Sequence, residues 1–317
     1  MRRYGWAAAL LAALIPVYAG AQAFPVKPMR IVIGFPPGGG TDSVARLVAP
    51  RMSELLGQPI VIDNRPGADT NIATEYVARA SADGYTLIMN TGIFAINMST
   101  HDKPGYHAVR DFAPVSLIAT SPHILVVGPS LQVKTLKELL DTARARPGQL
   151  NYSHAGGPQY MGFELFKLRT KTDIVAVPYK GGGPAMTALI GGEVHLTFAN
   201  IPTSTPHIKA GRVRVLALAG SARSVLMPDV PTMKEQGVDM QSQVWYGMLA
   251  PAGVPKRVHA RIAETAIKAA TAEDVKPKLI TMGAEPVAST PEAFAAQIRA
   301  EVKQWAEVVR LIGLKPN

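Results

Sequence analysis

Short apolar runs that end in glycine-rich loops and resume as amphipathic helices recur along this 317-residue chain. A strand covered on both faces reads as a continuous apolar run, and a following segment of 3.6-residue periodicity reads as its helix. Repetition of that pair means α/β architecture. In a first set, Arg30–Phe35 is a strand and Asp42–Leu56 a helix with Val44, Leu47, Val48, Met52, Leu55 and Leu56 on one face. Pro50 lies inside that helix and is expected to kink it. Ile60–Ile62, a helix near Asn71–Ala80 and Tyr85–Asn90 continue the set.

A second set begins near Ile124–Val127 and passes through a helix opened by the capping box Thr135-x-x-Glu138. Strands follow at Leu150–Tyr152, Ile174–Val177, Val194–Phe198 and Val213–Ala217, and Pro184 suits the first turn of an intervening helix. The carboxy-terminal segment returns to a strand, Val244–Leu249, and two helices, about Pro255–Ala272 and Pro291–Ile312, expected to pack on the first set. At roughly 150 residues per domain the length suits two lobes.

Arg2 and Arg3 precede an apolar stretch, Trp6–Tyr18, and small residues at Ala19, Ala21 and Ala23. This is the pattern of a signal peptide over 1–23, so the mature chain is expected to start at Phe24 outside the cytoplasmic membrane. The absence of cysteine removes disulfides, thiolate metal sites and cysteine nucleophiles. A net charge of +10 is spread along the chain with no basic run interleaved with aromatics, so no nucleic-acid partner is expected.

Three loops share one character: Gly34–Asp42, Ser153–Pro158 and Tyr179–Pro184 each leave a strand and enter a helix through glycines. Backbone N–H groups there can approach a ligand, and the helix start adds a positive dipole end. Four hydrogen bonds to a charged group, at about 1.5–3 kcal/mol each, would supply much of the ~8 kcal/mol that micromolar binding needs. Alternatively, each loop is only a tight connection. Lys180 could pair with an acidic solute, although a loop lysine is more often just solvated, and His154 could donate to a carboxylate or stand exposed and idle. Thr91, Gly92 and Asn200 follow strand ends, and Trp245 with Tyr246 reads first as core. Nucleotide-binding glycine motifs, H-E-x-x-H and G-x-S-x-G are all absent, and the seven histidines lack metal-ligand spacing. No catalytic residue, metal or cofactor is expected.

The leader followed by Phe24-Pro-Val-Lys, FPPGGGTD at 35–42, DNRPGA at 63–68 and ADGYTL at 82–87 resembles the extracytoplasmic receptors of tripartite tricarboxylate transporters, the Bug receptors. The stretches 177–198, 206–218, 227–237 and 245–255 resemble the remainder of that family, so the likeness spans the mature chain. The resemblance implies a type II periplasmic binding protein fold, with two α/β lobes joined by a two-segment hinge and a ligand cleft between them. Lobe 1 would comprise 24–121 and 242–317, and lobe 2 would comprise 122–241.

It further implies a monomeric periplasmic receptor that closes on a small carboxylate and presents it to membrane permease subunits. Carried over by motif, the contacts are Phe35, Pro37, Gly38, Gly39, Thr41, Asp42 and Thr91 from lobe 1. From lobe 2 they are Ser153, His154, Ala155, Gly156, Tyr160, Lys180 and Asn200. Three departures stand out: a shortened 153–160 loop, Phe198-Ala199-Asn200 where many members have Phe-Asp-Asn, and Asp69-Thr70 in place of a common Gly-Gly. The missing acid argues against an amine-bearing ligand. A secreted enzyme using His154 or Asp42 as acid–base, and a sensor subunit docking a signalling partner, are the rival readings.

Overall fold

The computed structural model describes residues 24–154, 157–179 and 182–316. The expected signal peptide, Ala155, Gly156 and Lys180 lie outside the described residues. In chain order the amino-terminal elements are β1 (Met29–Ile33), α1 (Gly40–Leu56), β2 (Ile60–Asn64), α2 (Asn71–Ala78), β3 (Thr86–Asn90) and α3 (Ile93–Thr100). A long strand follows, β4 (Phe112–Val127), then α4 (Leu136–Ala145), β5 (Leu150–His154), α5 (Gly157–Thr170), β6 (Ile174–Pro178) and α6 (Gly182–Gly191). The chain continues through β7 (Leu196–Asn200), α7 (Ile201–Lys209), β8 (Arg214–Leu218) and β9 (Gln243–Pro251). It ends with α8 (Lys256–Thr271), α9 (Lys276–Thr281), β10 (Glu285–Pro286) and α10 (Pro291–Ile312).

Local chemistry sets the helix ends. In α4, Thr135 Oγ1 accepts the Glu138 N–H at 3.1 Å, and the Glu138 carboxylate reaches back to the Lys134 N–H at 2.7 Å. Thr290 caps α10, Pro291 occupies its first turn, and Gly313 ends it in the left-handed region. Helix α1 runs from Gly40 to Leu56 with Pro50 inside it, and Val44, Val48 and Met52 turn inward.

Two sheets share one strand. The first runs β2-β1-β3-β9-β4, and the second is built on the far end of β4 with β7, β5 and β6 on one side and β8 on the other. From Phe112 to Pro122, β4 pairs with β9; from His123 to Val127 it pairs with β7. The sequence marks a strand only near Ile124–Val127, and the stretch before it carries Pro114, Ser116, Thr120, Ser121 and Pro122, residues that weaken a strand signal. The register against β9 shifts between Pro114 and Ser116 and again between Leu117 and Ala119, and these bulges let the strand absorb residues that a regular ladder excludes.

The carboxy-terminal helix also departs from expectation. Its first half joins the aromatic cluster of Phe94, Phe112, Trp245 and Phe294 in the first lobe. Its second half inserts Trp305, Val308 and Val309 among Phe163, Phe166 and Phe198 of the second. Twenty-two residues make a helix of about 33 Å, long enough to lie against both lobes.

Candidate ligand cleft

The direction of the strands decides where the loops meet. Strands β1 and β3 are parallel, β9 is antiparallel to β3, and β4 is antiparallel to β9, so the first lobe's parallel strands run the same way as β4. Strand β7 is antiparallel to β4, and β5 and β6 follow β7. The two sets of carboxyl ends therefore point toward each other along a shared strand. Register fixes the spacing: Asn90 ends β3 opposite Gly247, which pairs with Leu117, whereas Asn200 ends β7 opposite His123. Six residues of β4 separate those levels, about 20 Å at ~3.3 Å per residue. The loops and the starts of α1, α3, α5, α6 and α7 extend into that interval. At one side the lobes already touch, with Ile93 against Gly157 and Pro158 close to Gly92.

In the first lobe, the glycine loop is braced from within. Asp42, buried in the first turn of α1, accepts from Arg46 Nε at 2.8 Å, from the Gly38 N–H at 2.9 Å and from Asn64 Nδ2 at 2.9 Å. Asn64 also donates to the Phe35 carbonyl at 3.1 Å. The Arg46 hydrogen bond, helped by the Gly38 and Asn64 donors and opposed by burial, holds the Asp42 carboxyl down at about 2. Gly38 has φ +84°, a left-handed conformation suited to glycine. Asp42 and the Gly38 amide are thus turned onto each other inside the loop.

The donors left at the mouth are the first-turn amides of α1 after its N-cap Gly39, since the first intrahelical bond is Ser43 N–H to the Gly39 carbonyl. The half-buried Tyr246 places its phenol beside Gly40, and burial raises its pKa. Phe35 packs partly against the core, Pro37 is exposed, and Thr41 and Thr91 are buried at their helix starts. The Thr91 N–H is taken by the Asn90 side chain at 2.8 Å.

The second lobe distributes its expected residues differently. Ser153 is fully buried, with its hydroxyl on the Ala185 carbonyl at 3.4 Å, so it ties β5 to α6. The His154 ring lies 4.7 Å from Tyr160 and 5.7 Å from Tyr152, and burial lowers its pKa. Tyr160 faces a separate cavity of about 210 Å³ shared with Asp69, Asn97 and His101 of the first lobe. Asn200 lines another, of about 170 Å³, at the starts of α5, α6 and α7. That cavity has His123, Gln159 and Phe198 in its wall, and the Gln159 side chain is bonded to the Phe198 carbonyl. Among the described residues no cluster of His, Cys, Asp and Glu suits a metal ion.

The family model for tripartite tricarboxylate transporter family receptors matches residues 44–314. The chain belongs to this receptor family. Among its relatives, the protein BugT of Bordetella pertussis is 36% identical over 300 residues, covering 93% of this chain and 92% of BugT. The Rhodopseudomonas palustris protein Rpa4515, solved with adipate, is 38% identical with a TM-score of 0.76, covering 93% of this chain and 100% of that one. MatC from the same organism, solved with bound malate, is 34% identical with a TM-score of 0.73, covering 90% and 100%. The family receptor is thus a periplasmic solute-binding protein with two α/β lobes in the type II arrangement.

Two of the departures from the family pattern acquire a structural meaning. Asp69 and Thr70 sit at φ 49° and 73°, left-handed backbone where a Gly-Gly pair would rest without steric cost. Ala199, standing where many family members carry an acid, lines the 170 Å³ cavity and brings it no charge. His123, Gln159 and Ser242 belong to no motif in the sequence that would single them out. The strand-end position of His123 became visible only with the register of β4 against β7. Tyr246 was noticed, but alternation along a strand could not say that its hydroxyl reaches the helix start at Gly40.

Proposed function

We propose that this family receptor captures a small carboxylate between a first lobe of residues 24–121 and 242–317 and a second of 122–241, then delivers it to the permease of a tripartite transporter. Export would follow from the leader at 1–23, with the mature monomer starting at Phe24, and no chemical step would be performed. One observation carries the reading: the parallel strands of both lobes run toward each other about β4, which aims helix starts from both sides at a single gap.

A carboxylate in that gap would accept from the free first-turn amides of α1. Similarity to receptors solved with adipate and malate supports a short dicarboxylate as the solute class. Differential contact with both lobes would then favour the closed state.

Titration calorimetry with malate and adipate tests this on the wild-type protein and on Gly39→Asp. A Cβ at Gly39 meets nothing nearer than the Pro36 carbonyl at 3.6 Å, so the substitution adds a charge without a clash. Wild-type binding at micromolar strength with binding abolished in Gly39→Asp is expected. Unchanged affinity in the variant would remove the assigned site, and heat from neither acid would count against the dicarboxylate class.

A further inference from the structure

The cavity below Asn200 contains a polar group for which the solute reading above gives no role. His123 is 3% exposed, and its ring stacks on Phe198 with centroids 6.0 Å apart. Nδ1 lies 2.8 Å from Ser242 Oγ, one residue before β9, so the bond ties β4 to the segment that leads into β9. Among the described residues neither side chain has another hydrogen-bond partner. With Ser242 Oγ as the donor to Nδ1, the acceptor within its reach, the imidazole proton is placed on Nε2. Burial also pushes the His123 pKa down to about 4, so the ring is uncharged at neutral pH.

The other polar groups in the cavity wall are mostly occupied. Thr197 donates to the Ser153 carbonyl, Thr203 to the Asn200 carbonyl, and Gln159 to the Phe198 carbonyl. No Asp, Glu, Lys or Arg is among the described residues of the wall. What is left along the wall is the His123 ring, the Asn200 side-chain amide and the start of α6 at Gly182, which offer N–H donors and, at Asn200, one carbonyl acceptor.

We propose that this cavity receives the far end of the solute and that His123, donating through Nε2–H, selects a terminal carboxylate over a methyl or ammonium terminus. An ammonium group would find no carboxylate there, and a methyl group would leave the imidazole N–H unpaired, which is the stronger basis for rejection. The inference rests on the solute being a carboxylate anchored at α1, and it adds which terminus the second lobe reads.

Adipate and hexanoate differ only in exchanging one carboxylate for a methyl group, so their affinities for wild-type protein and His123→Phe test the assignment. Wild type should prefer adipate. The variant should lose adipate affinity by about 10- to 100-fold and keep its hexanoate affinity. Equal losses for both acids, or no loss, would overturn the role of His123 while leaving the receptor reading intact. Failure of wild type to bind either acid would overturn both.

Because His123→Phe also removes the bond to Ser242, nitrogen-15 NMR of histidine-labelled wild-type protein supplies a reading that needs no variant to fold. A ring protonated on Nε2 whose resonance shifts on adding adipate supports the proposal. A ring protonated on Nδ1, or one that adipate leaves unmoved, overturns it.

Discussion

Asp42 shows how one side chain can brace a glycine loop from within. Its carboxylate gathers Arg46, Asn64 and the Gly38 amide, and so sets the path of a loop whose glycines otherwise have wide conformational freedom. Asp42→Ala should destabilise the fold by about 1–3 kcal/mol, the range for losing a buried charged hydrogen-bonding centre, and urea denaturation measures it. The pH dependence has a definite sign. The folded carboxyl titrates at about 2 against 3.8 ordinarily, so its contribution is complete above pH 3.8 and lost as pH falls through about 2. The gap in stability between wild type and Asp42→Ala should therefore narrow as acid is added from pH 5 toward pH 2. The sequence places Asp42 at the helix start, but only the fold distinguishes an acid facing solvent from one facing its own loop.

At the scale of elements, β9 and α10 meet closely at one glycine. Gly247 lies under the Phe294 ring, and an added Cβ would run into that ring and into Trp245. Gly247→Ala should cost about 1–3 kcal/mol through overpacking, seen as a lowered urea midpoint with an unchanged slope. Most such elements were legible beforehand, since apolar runs and caps mark β1, α1, β3, α4 and α10 through local forces that act within a few residues. What escaped was long-range: β4 is a strand because β9 and β7 pair with it, despite two prolines and several hydroxyl residues. Helix α3 escaped too, because its almost uniformly apolar Ile93–Asn97 start has no polar face to reveal a period. The glycine loops were legible as candidate anion sites from composition, whereas the placement of Ser153 inside the lobe and of His123 at the cavity needed the tertiary register.

For the whole molecule, two α/β lobes share β4, while α3 and α10 lie against both. His123, in β4, meets Ser242, one residue before β9, where the chain crosses between the lobes. The opposed strand directions turn this geometry into a receptor reading, because they aim the helix starts of two lobes at one gap. A crystal structure of the protein with adipate tests that most directly. The account expects one carboxylate within about 3 Å of the first-turn amides of α1 and the other end of the same molecule in the cavity beside His123 and Asn200. A solute bound outside the gap, or held by one lobe alone, would contradict it.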